Sequence, residues 1–133
     1  MIYLDTSVAL LSLLGQSGAD EAARLIMDAR ATEGLVSSCL LKVEMARAAH
    51  RDHFDVRVVD EFIAGVELVE IGPDVIERAS ALTGELKSLD AIHLATATLL
   101  DDPRHPVTVL THDARLADAA RSRGLGAIDP LGS

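Results

Sequence analysis

IYLDTSVAL, residues 2–10, is the stretch from which the rest of the chain can be read. Ile2, Tyr3 and Leu4 form an apolar run suited to a short strand, Asp5 ends it, and residues 8–14 resume as an apolar helical segment. Thr6 or Ser7 is placed to cap that helix, and Gly15 to stop it. A strand that meets an acid and turns straight into a helix reads as the opening of a strand–helix–strand unit. The acid would then lie at the sheet's edge, where a carboxylate is costly to bury unless something positive meets it.

Working outward, the same alternation continues. Residues 20–31 read as an amphipathic helix with Ala23, Ile26, Met27 and Arg30 on related turns, ended by Gly34, and 35–37 as a second strand. Residues 39–51 and 56–64 read as helices and 66–71 as a strand. Gly72-Pro73 then opens a helix over 74–82, with proline near its first turn. Residues 84–87 are a loop, 90–100 a buried apolar helix with Ser88 as its cap, and 101–106 a loop holding two prolines. Residues 107–110 form a β-branched strand, 113–123 a helix closed by Gly124, and 127–128 a short last strand. Helices between strands require crossover connections, hence a mostly parallel sheet covered on both faces. The expected class is α/β, a three-layer α/β/α sandwich, with residues 1–133 as one domain.

Composition narrows the function. With 49% hydrophobic residues and only Tyr3, Phe54 and Phe62 as aromatics, the core must be aliphatic, and no aromatic platform for stacking single-stranded bases can be built. The single cysteine, Cys39, excludes an internal disulfide and reads as a small buried hydrophobe. No run approaches a membrane span, and the apolar N-terminus lacks a basic leader, so a cytoplasmic protein is expected. The net charge of −9 argues against coating nucleic acid by bulk electrostatics, but not against a nuclease whose acids bind metal. Residues 42–57 are locally less acidic, with Lys42, Arg47, Arg51 and Arg57; they read equally as a phosphate-facing patch or a solvated helix face. The greasy segment 10–14 is either core or part of a partner surface.

Four acids carry the functional signal: Asp5, Glu44, Asp90 and Asp113. Asp5 and Asp113 follow strands, where parallel sheets gather their ligands. Asp90 lies near a helix start, favoured by the helix dipole. Glu44 has Leu40, Leu41 and Ala48 on its face, along with Arg47. Singly, each has an ordinary reading: Asp113 as a helix cap, Asp90 as a dipole partner, Asp5 as a turn residue, Glu44 as an ion partner of Arg47 or Arg51. Together at sheet-edge positions they point to a divalent ion. Mg²⁺ and Mn²⁺ take hard oxygen ligands, relieve repulsion between crowded carboxylates, and activate water and stabilise charge at a phosphodiester. Thr6 and Thr111 are hydroxyls placed to orient such carboxylates, or to cap helices and strand ends. His93 lies on the face of Asp90 and reads as a core histidine with a hydrogen-bond partner; His112 has no evident role. There is no GxGxxG after a strand, no P-loop, no HExxH and no G-x-S-x-G elbow.

IYLDTSVAL (2–10), LLKVEMARAA (40–49), SLDAIHLATA (88–97) and VLTHDARLADAA (109–120) together resemble a PIN-domain protein of the VapC toxin type. The resemblance spans nearly the whole chain. It implies a Mg²⁺- or Mn²⁺-dependent endoribonuclease, the toxin of a toxin–antitoxin pair, with an RNA substrate, a cognate antitoxin and a homodimeric form. It maps the family's acidic site onto Asp5, Glu44, Asp90 and Asp113. Thr6 and Thr111 match its polar positions. On this reading Asp5, Asp90 and Asp113 hold metal, and Glu44 is a ligand through water or a general base. Two other classes stay open: a metal-dependent phosphatase or phosphotransfer domain, and a catalytically silent PIN-like binding module. The haloacid-dehalogenase pattern would want an acid where Ser7 stands.

Overall fold

In the computed structural model, which describes residues 1–84 and 86–132, the first strand, β1 (Ile2–Leu4), lies at the centre of a five-stranded sheet. Its neighbours are β2 (Leu35–Ser38) and β4 (Thr108–Leu110), with β3 (Glu67–Val69) and β5 (Gly126–Ile128) outside them. The order is β3-β2-β1-β4-β5 and every pairing is parallel, as the alternation of strands and helices predicts. Tyr3 stands opposite Val36 on one side and Val109 on the other. After β3 the chain returns across β1 to start β4, so the order reverses between β1 and β4. The crevice at the carboxyl end of such a switch point is where an open parallel sheet binds ligands.

Among the described residues, seven helices cover the two faces: α1 (Thr6–Leu13), α2 (Ala19–Thr32), α3 (Leu40–Asp52), α4 (Val56–Ile63), α5 (Pro73–Ala81), α6 (Ser88–Leu100) and α7 (Ala114–Ser122). Because side chains alternate along a strand, β1 feeds two cores. Ile2 and Leu4 join Val8, Leu11, Ile26, Leu41 and Met45; Tyr3 joins Val36, Leu94, Val109 and Leu116 on the opposite face. Leu11 is buried, and Leu10 and Leu13 are half-buried against the first core, so the greasy first helix is mostly core. Burying one such leucine contributes about 1.5–3 kcal/mol. Gly34, at φ +84°, closes α2 by sending its N–H back to the Ala29 carbonyl at 2.8 Å. Among the described residues no helix is long and apolar enough to cross a membrane.

Several local expectations need correction. Helix α1 starts at Thr6, with Asp5 as its N-cap, so neither Thr6 nor Ser7 caps it; their hydroxyls are drawn to carboxylates instead. Ser88 lies inside α6, whose N-cap is Lys87. The third strand is shorter than 66–71, because Val66 is still turning (its N–H bonds the Ile63 carbonyl) and the chain leaves the sheet before Gly72. In α2 the buried face is Ala22, Ile26 and Ala29, while Met27 is 67% exposed. Cys39 is only half-buried. Of the expected loop 84–87, Glu85 lies outside the described residues.

Candidate active site at the carboxyl edge of the sheet

Asp5 leaves β1 at the switch point, its N–H bonding the Leu110 carbonyl of β4 at 3.0 Å. It is 4% exposed, and among the described residues no lysine or arginine is bonded to it. Its Oδ2 accepts two hydroxyl hydrogen bonds, from Ser7 at 2.6 Å and from Thr111 at 2.8 Å. Its Oδ1 lies 3.8 Å from His93 Nε2. The two hydroxyls fix the carboxylate's orientation without neutralising it, the usual arrangement for holding a ligand group. Ser7 Oγ also accepts the His112 N–H at 2.9 Å, and Thr111 Oγ1 accepts the Asp113 N–H at 3.0 Å. The turns after β1 and β4 are thereby stitched together.

Glu44 projects from the first turns of α3. Its Oε1 accepts from Thr6 Oγ1 at 2.7 Å and meets His93 Nε2 at 2.7 Å; neither Arg47 nor Arg51 pairs with it. Burial alone would raise its proton affinity, but the hydrogen bonds from His93 and Thr6 and the His93 charge outweigh that and hold the Glu44 carboxyl low. His93 is 1% exposed, and its Nδ1 meets the Tyr3 hydroxyl at 2.7 Å. Burial pushes its imidazole down. The Glu44 bond and the charges of Asp5, Glu44 and Asp90 overcome this and push it up. The core-histidine reading is thus right about burial, but this residue also touches the site.

Asp90, in the first turn of α6, is half-buried and accepts no hydrogen bond among the described residues. Burial, then the charges of Asp5 and Asp113, raise its proton affinity, with Glu44 adding to the rise and His93 opposing it. Asp113 is the N-cap of α7, with Oδ1 accepting from Arg115 N at 2.9 Å and Leu116 N at 3.4 Å. Its ordinary reading as a cap is therefore true, and its Oδ2 accepts no hydrogen bond among the described residues.

Among the described residues no three His, Cys, Asp or Glu side chains close on a point as a ready-made cation cage. The donor chemistry nevertheless fits a hard divalent ion. The acids that raise Asp90's proton affinity are its neighbours Asp5, Asp113 and Glu44, and Asp90 itself has no hydrogen-bond or ion-pair partner among the described residues. Sequence reasoning missed Ser7 as a support for Asp5, and the Tyr3–His93 contact. The signal for Ser7 was its place two residues after a strand-end acid; for Tyr3 and His93 it was a buried hydroxyl and ring that each need a partner. In the basic stretch 42–57, Arg51 and Arg57 pair with their neighbours Asp52 and Asp55. Lys42, Arg47 and Arg51 on α3 and Arg57 on α4 are exposed to solvent.

A parallel α/β sheet with acids gathered outside its central switch point defines the class of molecule. Residues 2–122 match the PIN domain family, and the chain belongs to it. Ribonuclease VapC35 of Mycobacterium tuberculosis is 33% identical over 132 residues, covering 98% of this chain and 97% of that protein. Ribonuclease VapC46 of the same organism is 35% identical over 133 residues, covering 97% of each. Among solved structures, a toxin–antitoxin complex from Klebsiella pneumoniae superposes with a TM-score of 0.70 at 22% identity over 100% of both chains. VapBC2 from Rickettsia felis, bound to a DNA fragment from its promoter, gives 0.71 at 12% identity, covering 97% of this chain and 98% of that one. The fold expectation therefore holds.

Proposed function

We propose that this chain is a divalent-metal-dependent endoribonuclease, the toxin of a toxin–antitoxin pair, with residues 1–133 acting as one nuclease domain. The observation that carries the reading is Asp90. It is a half-buried carboxylate that accepts no hydrogen bond among the described residues, its proton affinity raised by burial and then by the charges of Asp5, Asp113 and Glu44, in a chain one-third identical over almost its full length to proteins named ribonucleases.

Asp5, Asp90 and Asp113 would hold Mg²⁺ or Mn²⁺. When bound, the ion supplies Lewis-acid stabilisation of the charge that develops on the phosphodiester. The protein's own part is positional. Ser7 and Thr111 turn Asp5 so that Oδ1 faces away from both hydroxyls, and the α7 cap leaves Asp113 Oδ2 available. A general base works best with a proton affinity near the working pH. Glu44 is held below its ordinary value, which favours an accepting and orienting role over proton abstraction. The likeness to toxin–antitoxin complexes supports an antitoxin partner, and a homodimer is part of the same reading.

The test is cleavage of RNA by the purified, antitoxin-free protein with Mg²⁺ or Mn²⁺, beside EDTA, Asp5→Asn and Asp90→Asn. Cleavage lost in all three controls is the expected outcome. Equal cleavage by Asp5→Asn or in EDTA would sink the carboxylate–metal assignment.

A further inference from the structure

A line of hydrogen bonds crosses the interior from the second strand to the site. The Ser38 N–H donates to the Tyr3 hydroxyl at 3.2 Å, that hydroxyl meets His93 Nδ1 at 2.7 Å, and His93 Nε2 meets Glu44 Oε1 at 2.7 Å. Tyr3 and His93 are 0% and 1% exposed, with rings edge-on at 5.8 Å and 75°. A polar pair buried among Val36, Leu94 and Val109 costs more than aliphatic packing would, unless every partner is in place. Here every partner is in place: no buried side-chain polar atom among the described residues is left unsatisfied.

The end of the line is specific. Thr6 Oγ1 and His93 Nε2 both meet Oε1 of Glu44, and Oε2 accepts nothing among the described residues. Asp5 repeats the pattern with different donors, two hydroxyls on Oδ2 and none on Oδ1. A carboxylate oxygen only accepts, so the 2.7 Å contact with Glu44 Oε1 puts the ring hydrogen on Nε2, and in the neutral ring Nδ1 then accepts the Tyr3 hydroxyl's hydrogen. A doubly protonated ring, with its single positive charge, would also donate from Nε2.

We propose that His93, braced by Tyr3, is a positioning residue: with Thr6 it clamps Glu44 Oε1 so that Oε2 is the oxygen presented to the cleft. This rests on the ribonuclease reading only in that Glu44's task there is catalysis.

Asparagine and glutamine separate the two ring nitrogens, the asparagine amide reaching the Nδ1 position and the glutamine amide the Nε2 position. His93→Asn should lower kcat by about 10- to 100-fold, the usual effect of losing a group that orients a working side chain, and Tyr3→Phe, which removes only the brace, by a smaller factor, with KM little changed in both. His93→Gln should recover most of that loss. Melting temperatures are read alongside, and if His93→Asn does not fold, Tyr3→Phe and His93→Gln carry the comparison. Equal losses in Asn and Gln that follow melting temperature, or wild-type kcat in Tyr3→Phe, would overturn the clamp. A second readout needs no substrate: the imidazole ¹⁵N spectrum should show a protonated Nε2 whose resonance moves in Glu44→Gln and in Tyr3→Phe. Resonances unmoved in both variants would overturn the proposal whatever the kinetics. A wild-type protein that cuts no RNA counts against the ribonuclease reading instead, and the spectrum alone then decides the clamp.

Discussion

The turn after β1 and the turn after β4 are built from nearly the same words, Leu-Asp-Thr-Ser at 4–7 and Leu-Thr-His-Asp at 110–113, and each hands its chain to a helix. In both, an aspartate is the N-cap. They use it differently. Asp113 caps in the ordinary way, its oxygen accepting two backbone N–H groups of α7. Asp5 makes no side-chain cap at all; its carboxylate is turned away from α1 and held by hydroxyls from both turns. An aspartate satisfied by backbone amides is a structural element with one oxygen to spare. An aspartate held by two neutral hydroxyls, and left with its charge, is prepared for a cation. The difference is made by Thr111 and Ser7, and it appears only when the two turns meet.

That contrast can be broken most sharply at Asp5. Asp5→Asn should lower RNA cleavage on the order of 1,000-fold, since metal-assisted charge stabilisation is worth several kcal/mol. It should not lower the melting temperature of the metal-free protein, because it removes a charge that repels Asp90. A melting-temperature drop with cleavage retained would make Asp5 a structural residue and not a ligand.

Thr111→Val strikes the bridge between the turns. It deletes the donor to Asp5 and orphans the Asp113 N–H, so denaturant unfolding should show a loss of about 1–3 kcal/mol. Cleavage should fall about 10- to 100-fold as Asp5 loses its support. Unchanged values in both assays would dissolve the link between the corners.

At Asp113 two substitutions separate cap from charge. Asp113→Ala should cost about 1 kcal/mol of stability, while Asp113→Asn, a good cap, should cost almost none. Both should reduce cleavage, by about tenfold in the asparagine variant if the free Oδ2 is a ligand. Full activity in Asp113→Asn would leave Asp113 a cap alone.

The smallest effect is a pH dependence, measured in EDTA. The Glu44 carboxyl is held below its ordinary 4.5, so its contribution is present above that pH and is lost as pH falls through the folded value. The His93 imidazole is held above its ordinary 6.5, so its contribution is full below that pH and fades as pH rises through the folded value. The pair should therefore stabilise the fold most between 4.5 and 6.5. His93→Gln should flatten the alkaline decline, and a slope identical to wild type would refute the pairing.

The parallel sheet was foreseeable, though not its strand order, because helices between strands force parallel crossovers, and the apolar triplet at 2–4 reads as a first strand. The four acids were visible for the same reason: each interrupts or borders an apolar run. What could not be read was how hydroxyls were allotted. Thr6 and Ser7 are good caps by local chemistry, yet Glu44 and Asp5 outcompete the backbone for them, and Glu44 lies 38 residues from Thr6 in sequence. The exposed Met27 was misjudged for a related reason. A 3.6-residue period tells which positions share a face, but the sheet decides which face is covered.

One bond has a bearing on how the protein is made. Thr111 reaches Asp5 across 106 residues, between the first strand and the fourth. A chain emerging from the ribosome exposes Asp5 and Glu44 early, yet Asp5 has only its neighbour Ser7 to hold it until β4 has followed and docked beside β1. Non-local parallel pairing of this kind forms late and slowly. Nascent and truncated chains therefore carry the acids without the arrangement that would make them act, and the hazard of a nuclease arises only at the end of synthesis.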